Sequence, residues 1–147
     1  MGVRLKLSIK LFAIFIGFIA IVALIGIGLF WWSAEKMCGN VEVVAIPIAG
    51  TKYKVVVFQR DCGATTGFST QASILDRSSQ LKNNGGNIFA ADTNHGAAPS
   101  GPGGGPALRV KVFGPQKIEL SYHKNTRVFD AERQYKEIKI LYSVFGN

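Results

Sequence analysis

Hydrophobic and polar positions change rhythm once along this chain. From 11 to 34 there are 24 consecutive residues without a charge, and within 11–32 (LFAIFIGFIAIVALIGIGLFWW) only glycine interrupts the apolar residues. A helix of those residues extends roughly 33 Å at about 1.5 Å per residue, which matches a hydrocarbon core roughly 30 Å thick. In lipid the backbone must satisfy its own hydrogen bonds, so a single helix is the economical form. Trp31 and Trp32 close the run, where indoles suit an interface. The pattern predicts a transmembrane helix over 11–34 that contacts the lipid bilayer. Arg4, Lys6 and Lys10 precede it, whereas Glu35 and Lys36 cancel after it. That asymmetry predicts a single-pass protein of the cytoplasmic (inner) membrane, N-terminus inside and the remainder outside. A cleaved secretory signal fits less well, because its apolar stretch is shorter and Trp32 sits badly before the small pair Ser33-Ala34.

Beyond residue 35 the apolar runs become short and alternating. Strands are predicted at 41–48 (VEVVAIPI), 51–60 (TKYKVVVFQR), 68–75 (FSTQASIL), 108–113 (LRVKVF), 117–122 (KIELSY) and 136–144 (KEIKILYSV). A short apolar run at 87–91 follows the turn signal Asn83-Asn84-Gly85-Gly86, and 127–129 is a further short strand. Residues 130–136 read as a helical turn or a hairpin loop. The stretch 97–106 (AAPSGPGGGP) cannot be regular structure, because proline lacks a donor and glycine favours irregular backbone. About seven short strands separated by turns imply a mainly β fold: one N-terminal transmembrane helix, then a small antiparallel β-sheet or sandwich domain. The expected organisation is a basic cytoplasmic N-terminus (1–10), the helix (11–34) and an extracytoplasmic β domain (35–147).

Charge sharpens this picture. The chain carries 17 basic and 9 acidic residues, +8 overall. All the acids lie after residue 34, so the β domain is basic on its own. Alternation in KYKVVV and LRVKVF puts cations on one sheet face and apolar residues on the other. Such a face is either simply solvated or attracts an anionic envelope component or an acidic protein. Nucleic acid is not an expected partner, because no binding motif is present. With 113 residues after the helix, one small domain is accommodated, which excludes a multidomain enzyme.

The densest polar stretch is 60–71 (RDCGATTGFSTQ), and a second, DTNHG, occupies 92–96. Here the chain resembles a group of small bacterial membrane-anchored or exported proteins of unknown function. They share stretches like VVFQRDCGATTGFSTQ and ADTNHGAAPSGPGGGP and a strand ending in SYH, matched here at 55–71, 90–106 and 121–123. The resemblance spans nearly the whole β domain and brings no established activity. The first turn departs from the group's pattern at Ile48-Ala49-Gly50-Thr51-Lys52, which alters a loop and no candidate site.

Cys38 and Cys62 are the only cysteines. An oxidising compartment favours their pairing, closing a loop of about 24 residues. Two sharper readings compete. A thiol hydrolase needs a Cys62 thiolate beside His95 or His123. A zinc site could draw on Cys62, Asp92, His95 and His123, although no paired ligand spacing supports it. Otherwise His95 reads as a loop hydrogen-bonder and His123 as a solvated strand end. No nucleophile elbow, zinc-protease helix or phosphate loop is present, so no catalytic residue, metal ligand or cofactor is assigned. The sequence favours a non-enzymatic membrane-anchored extracytoplasmic binding module, its contact surface formed by Arg60, Asp61, Thr65, Thr66, Asp92, Asn94 and His95. The alternatives are a small envelope hydrolase or metal-dependent enzyme using Cys62, Asp92 and His95, and an accessory structural subunit of a membrane complex.

Overall fold

The computed structural model describes residues 2–34, 37–63 and 66–146, and within the helix the side chains of 12 and 15–30. The chain divides into two compact units, Met1–Met37 and Cys38–Asn147. Among its described residues the first holds one helix, α1 (Gly2–Ala34). Among the described residues no helix is long and apolar enough to cross a membrane. This corrects the expected transmembrane span over 11–34 and the single-pass inner-membrane placement.

The second unit is mainly β. Among the described residues nine strands follow in order: β1 (Gly39–Pro47), β2 (Tyr53–Asp61), β3 (Ser69–Asp76), β4 (Phe89–Asp92), β5 (Leu108–Gly114), β6 (Lys117–His123), β7 (Arg127–Ala131), β8 (Gln134–Tyr135) and β9 (Ile138–Phe145). They form a five-stranded sheet, β1-β2-β3-β4-β7, and a four-stranded sheet, β5-β6-β9-β8. Every pairing in the first sheet is antiparallel. The second sheet is mixed, because β6 and β9 run parallel. An all-antiparallel domain was therefore the wrong expectation. After β6 the chain leaves to place β7 on the first sheet, and it returns through the short β8. Turn signals reveal neighbouring hairpins but not a crossover of this kind. The polar segment 130–136 contributes part of a hairpin, with Lys136 in the left-handed region (φ 52°) between β8 and β9.

Alternation decides which side chains meet. Val55 and Val57 of β2, Ala72 and Ile74 of β3, and Phe89 and Ala91 of β4 face Ile118 and Leu120 of β6 and Ile138 and Ile140 of β9 in one buried cluster. Phe89 packs its ring against Tyr122 and Tyr142, with centroids 5.5 and 6.0 Å away, so a single aromatic ties the sheets together. On the opposite face of β2, Val56 and Phe58 are also fully buried. Segment 82–88 lies over that region: Gly86 N donates to Gln71 Oε1, Asn87 N to Ser73 Oγ, and Asn40 Nδ2 to the carbonyls of Lys82 and Asn84. The uninterrupted apolar run 55–58 is thus explained by cover on both faces.

Candidate functional site

Antiparallel register builds the site. Asn40 pairs with Arg60, Arg60 with Ser69, Ser69 with Asp92, and Asp92 with Arg127. Directly opposed residues share a face, so these five side chains form one polar row across the whole first sheet, roughly 19 Å wide at about 4.8 Å per strand. The row lies on the face turned away from the sandwich core. Over its β2-β3-β4-β7 part opens a cleft of about 530 Å³, lined by Arg60, Ser69, Asp92 and Arg127 of the row, by Gln71 and Phe129 one step along the strands, and by Cys62, Thr66, Gly67, Phe68, Thr93 and His95 from the bordering loops.

The two guanidiniums in this cleft have different surroundings. Arg127 meets Asp92 side-on: its Nε donates to Asp92 Oδ1 at 3.1 Å and its Nη2 to Oδ2. Principally through that hydrogen bond, and against the opposing effect of burial, Asp92 is held below the ordinary carboxylate value; Asn94 N, donating to Oδ1 at 2.8 Å, adds to it. Arg127 is correspondingly raised by Asp92. Among the described residues Arg60 has only neutral acceptors, the amide oxygens of Asn40 at 2.8 Å and Asn83 at 3.3 Å. Among the described residues no carboxylate lies within ion-pair distance of it. Among the described residues, then, one cation is neutralised and the other is oriented by neutral groups without a carboxylate partner.

Loops shape the rims. The turn at 93–96 runs through three left-handed residues, Asn94 (φ 51°), His95 (φ 55°) and Gly96 (φ 86°). Asn and Gly adopt this region readily, whereas His enters it at a cost of about 1 kcal/mol. The turn is held by Asp92 Oδ1, by Thr93 Oγ1, which accepts from Gly96 N, and by Ala98 N donating to Thr93 O. It sets His95 Nε2 at 3.4 Å from Arg127 Nη1. The opposite rim carries Phe68, whose ring rests against Gly104. Gly105 lies so close to β3 that a Cβ there would sit 2.7 Å from Thr70 N, and Thr70 Oγ1 donates to Pro106 O at 2.7 Å. The Gly/Pro stretch is a packed buttress.

The structure therefore brings Arg60, Thr66, Asp92 and His95 to one cleft. Asp61 ends β2 and accepts from Gly63 N at 2.9 Å, closing the loop that Thr66 also braces. Asn94 shapes the turn without lining the cleft, and Thr65 lies outside the described residues. His123 is elsewhere, accepting from Asn125 N and set edge-on to Phe145. Phe68, Ser69 and Gln71 belong to the polar stretch 60–71 that the sequence marks as contact surface, whereas Arg127 and Phe129 lie outside both marked stretches; strand alternation at 127–129 is the one available signal for them, since register is what joins Arg127 to Asp92. Cys38 and Cys62 form a disulfide. Cys62, Asp92 and His95 do share the cleft, but the sulfur is bonded to its partner and offers neither a thiolate nucleophile nor a metal ligand in this form. Among the described residues no three His, Cys, Asp or Glu side chains cluster to hold a metal. No family model matches the chain, and no curated protein or solved structure is similar to it.

Proposed function

We propose that the protein is a non-enzymatic binding module that captures an anionic group of its partner in the cleft above the polar row. The observation that carries this reading is Arg60, a cation aligned by two neutral amides and open to a cleft whose rims present exposed Phe68 and Phe129. A guanidinium offers a planar donor fork suited to carboxylate or phosphate. Phe129 lies under the guanidinium of Arg127, 5.0 Å from its ring centroid, and leaves apolar surface beside that fork. The volume falls in the range of small-ligand and side-chain sites. The fitting ligand joins an anion to an apolar group, as at a peptide terminus or an acidic side chain beside an aromatic one.

The test is a titration of the ¹⁵N-labelled full chain with N-acetylphenylalanine, which carries both features, against its neutral amide. The acid should shift the amides of residues 60–71, 92–95 and 127–129, and Arg60→Ala should weaken it by at least about tenfold, the loss of one charge-assisted hydrogen bond. Equal binding of acid and amide, or an unchanged affinity in Arg60→Ala, sinks the reading.

A further inference from the structure

The second sheet ends at β5, and there an open main-chain edge coincides with an ordered pair of cations. Among the described residues strand β5 pairs only with β6. Among the described residues no other backbone or side chain hydrogen-bonds to the main chain of 108–112. Along that edge Arg109 and Lys111 are exposed and alternate with the half-buried Leu108, Val110 and Val112. Both cations project from the outer face and lie over aromatic rings, Arg109 at 4.1 Å from the Phe145 centroid and Lys111 at 4.8 Å from that of Phe113. Neither has a carboxylate within ion-pair distance among the described residues. Lys117 and Lys139, paired across β6 and β9, extend the basic face inward, with Glu119 as its one acid on these strands.

From this juxtaposition we infer that β5 is a docking edge for an extended acidic peptide, added as a further strand with acidic residues at alternate positions. A strand paired to β5 places its side chains directly opposite those of β5, about 5 Å away and on the same face. Two acids separated by one residue then meet Arg109 and Lys111 together, and their spacing of about 6.8 Å is that of the strand itself. The open edge explains why a polypeptide fits better than a polyphosphate, since unpaired N–H and C=O groups alternate along it and only another backbone completes both. The regular window is short, because a bulge between Val112 and Gly114 ends it on one side and the Ser100–Pro106 bridge precedes it on the other. The β1 edge is longer but carries only Glu42 among its charges, so no such complementarity marks a partner there. This inference is independent of the cleft, and either can fail without the other.

The experiment uses the ¹⁵N-labelled full chain and a blocked peptide, Thr-Glu-Val-Glu-Thr. Amide shifts should concentrate at 108–112, and binding should weaken as salt rises. Arg109→Glu/Lys111→Glu should reduce affinity by at least about tenfold, as like charges come to face each other, and should create affinity for the Lys-substituted peptide. Because both side chains are exposed, the variant should keep its fold, checked by amide dispersion. N-methylation of the peptide at alternate residues should abolish binding with its charge unchanged. Equal binding of the N-methylated peptide, of the Lys-substituted peptide to the unmodified protein, or of a dT12 oligonucleotide with the same shifts overturns the inference. Absence of any shift at 108–112 overturns it too, leaving the two cations as guards of an edge that stays unpaired.

Discussion

Opening the Cys38–Cys62 disulfide should lower stability without dismantling the fold. The two residues are 24 apart. Loop entropy for that separation amounts to roughly 3.5 kcal/mol at 25 °C, using about −2.1 − 1.5R ln n cal/mol/K. What remains after reduction is considerable. β1 stays paired with β2 from Gly39 opposite Asp61 to Pro47 opposite Lys54. Asn83 still donates to the Cys38 carbonyl, and Arg60 still bonds Asn40. The destabilisation therefore acts mainly on the unfolded chain. Urea unfolding of the full chain, in mild detergent to shield the apolar helix, should show a midpoint lower by roughly 2 M for an m-value of about 2 kcal/mol/M. Reductant and the double variant Cys38→Ser/Cys62→Ser should agree, since each removes the same cross-link. A midpoint within about 0.3 M of the oxidised protein would refute the entropy argument. Loss of amide dispersion before any denaturant is added would refute the claim that strand pairing alone holds β1.

The other predictions address single contacts. Asp92 has its carboxyl held below the ordinary value of 3.8, so its contribution is complete above that pH and is lost as pH falls through the lower folded-state value. Asp92→Asn should therefore lower the urea midpoint at pH 7, and the gap to the unmodified protein should close toward pH 2; a gap that persists at low pH contradicts the assignment. Gly105→Ala should cost about 1–3 kcal/mol by overpacking, because the new Cβ would lie 2.7 Å from Thr70 N and 2.8 Å from the Ser69 carbonyl carbon; an unchanged unfolding midpoint would mean the loop yields freely. The Tyr142 hydroxyl lies 2.9 Å from Ile88 O and 2.7 Å from Glu132 O, and burial pushes its ionisation upward. Tyr142→Phe should destabilise by about 1 kcal/mol, and spectrophotometric titration should show Tyr142 still protonated where an ordinary tyrosine has ionised.

Strand composition was readable wherever burial on one face imposed a period of two. Arg109, Lys111 and Phe113 point outward while Val110 and Val112 point in, as LRVKVF implies. The run 55–58 carried further information in breaking that period, because four successive apolar residues require cover on both faces. The charge-free run is helical, but the membrane span read from its hydropathy does not hold, because among the described residues no helix is long and apolar enough to cross. Cys38 and Cys62 are paired, as expected, although the expectation drew on an extracytoplasmic placement that does not hold.

What stayed hidden depends on register, which no local pattern contains. Arg127 is 35 residues from Asp92 and meets it only because β7 leaves its sequence neighbours, β6 and β8, for the other sheet. The same crossover makes β6 and β9 parallel and lets β9 fill the middle of the second sheet, leaving β5 at its edge. One topological step thus neutralises Arg127 in the cleft, leaves Arg60 there without a carboxylate partner among the described residues, and exposes the basic edge at Arg109 and Lys111. If strand order is what separates these two surfaces, charge reversal at one should leave binding at the other unchanged. Arg109→Glu/Lys111→Glu should therefore keep its affinity for N-acetylphenylalanine within about twofold, as expected for distant, independent sites. A larger loss would show the two surfaces acting as one electrostatic field, and the cleft's preference for an anion would then come from the domain's overall charge and not from Arg60.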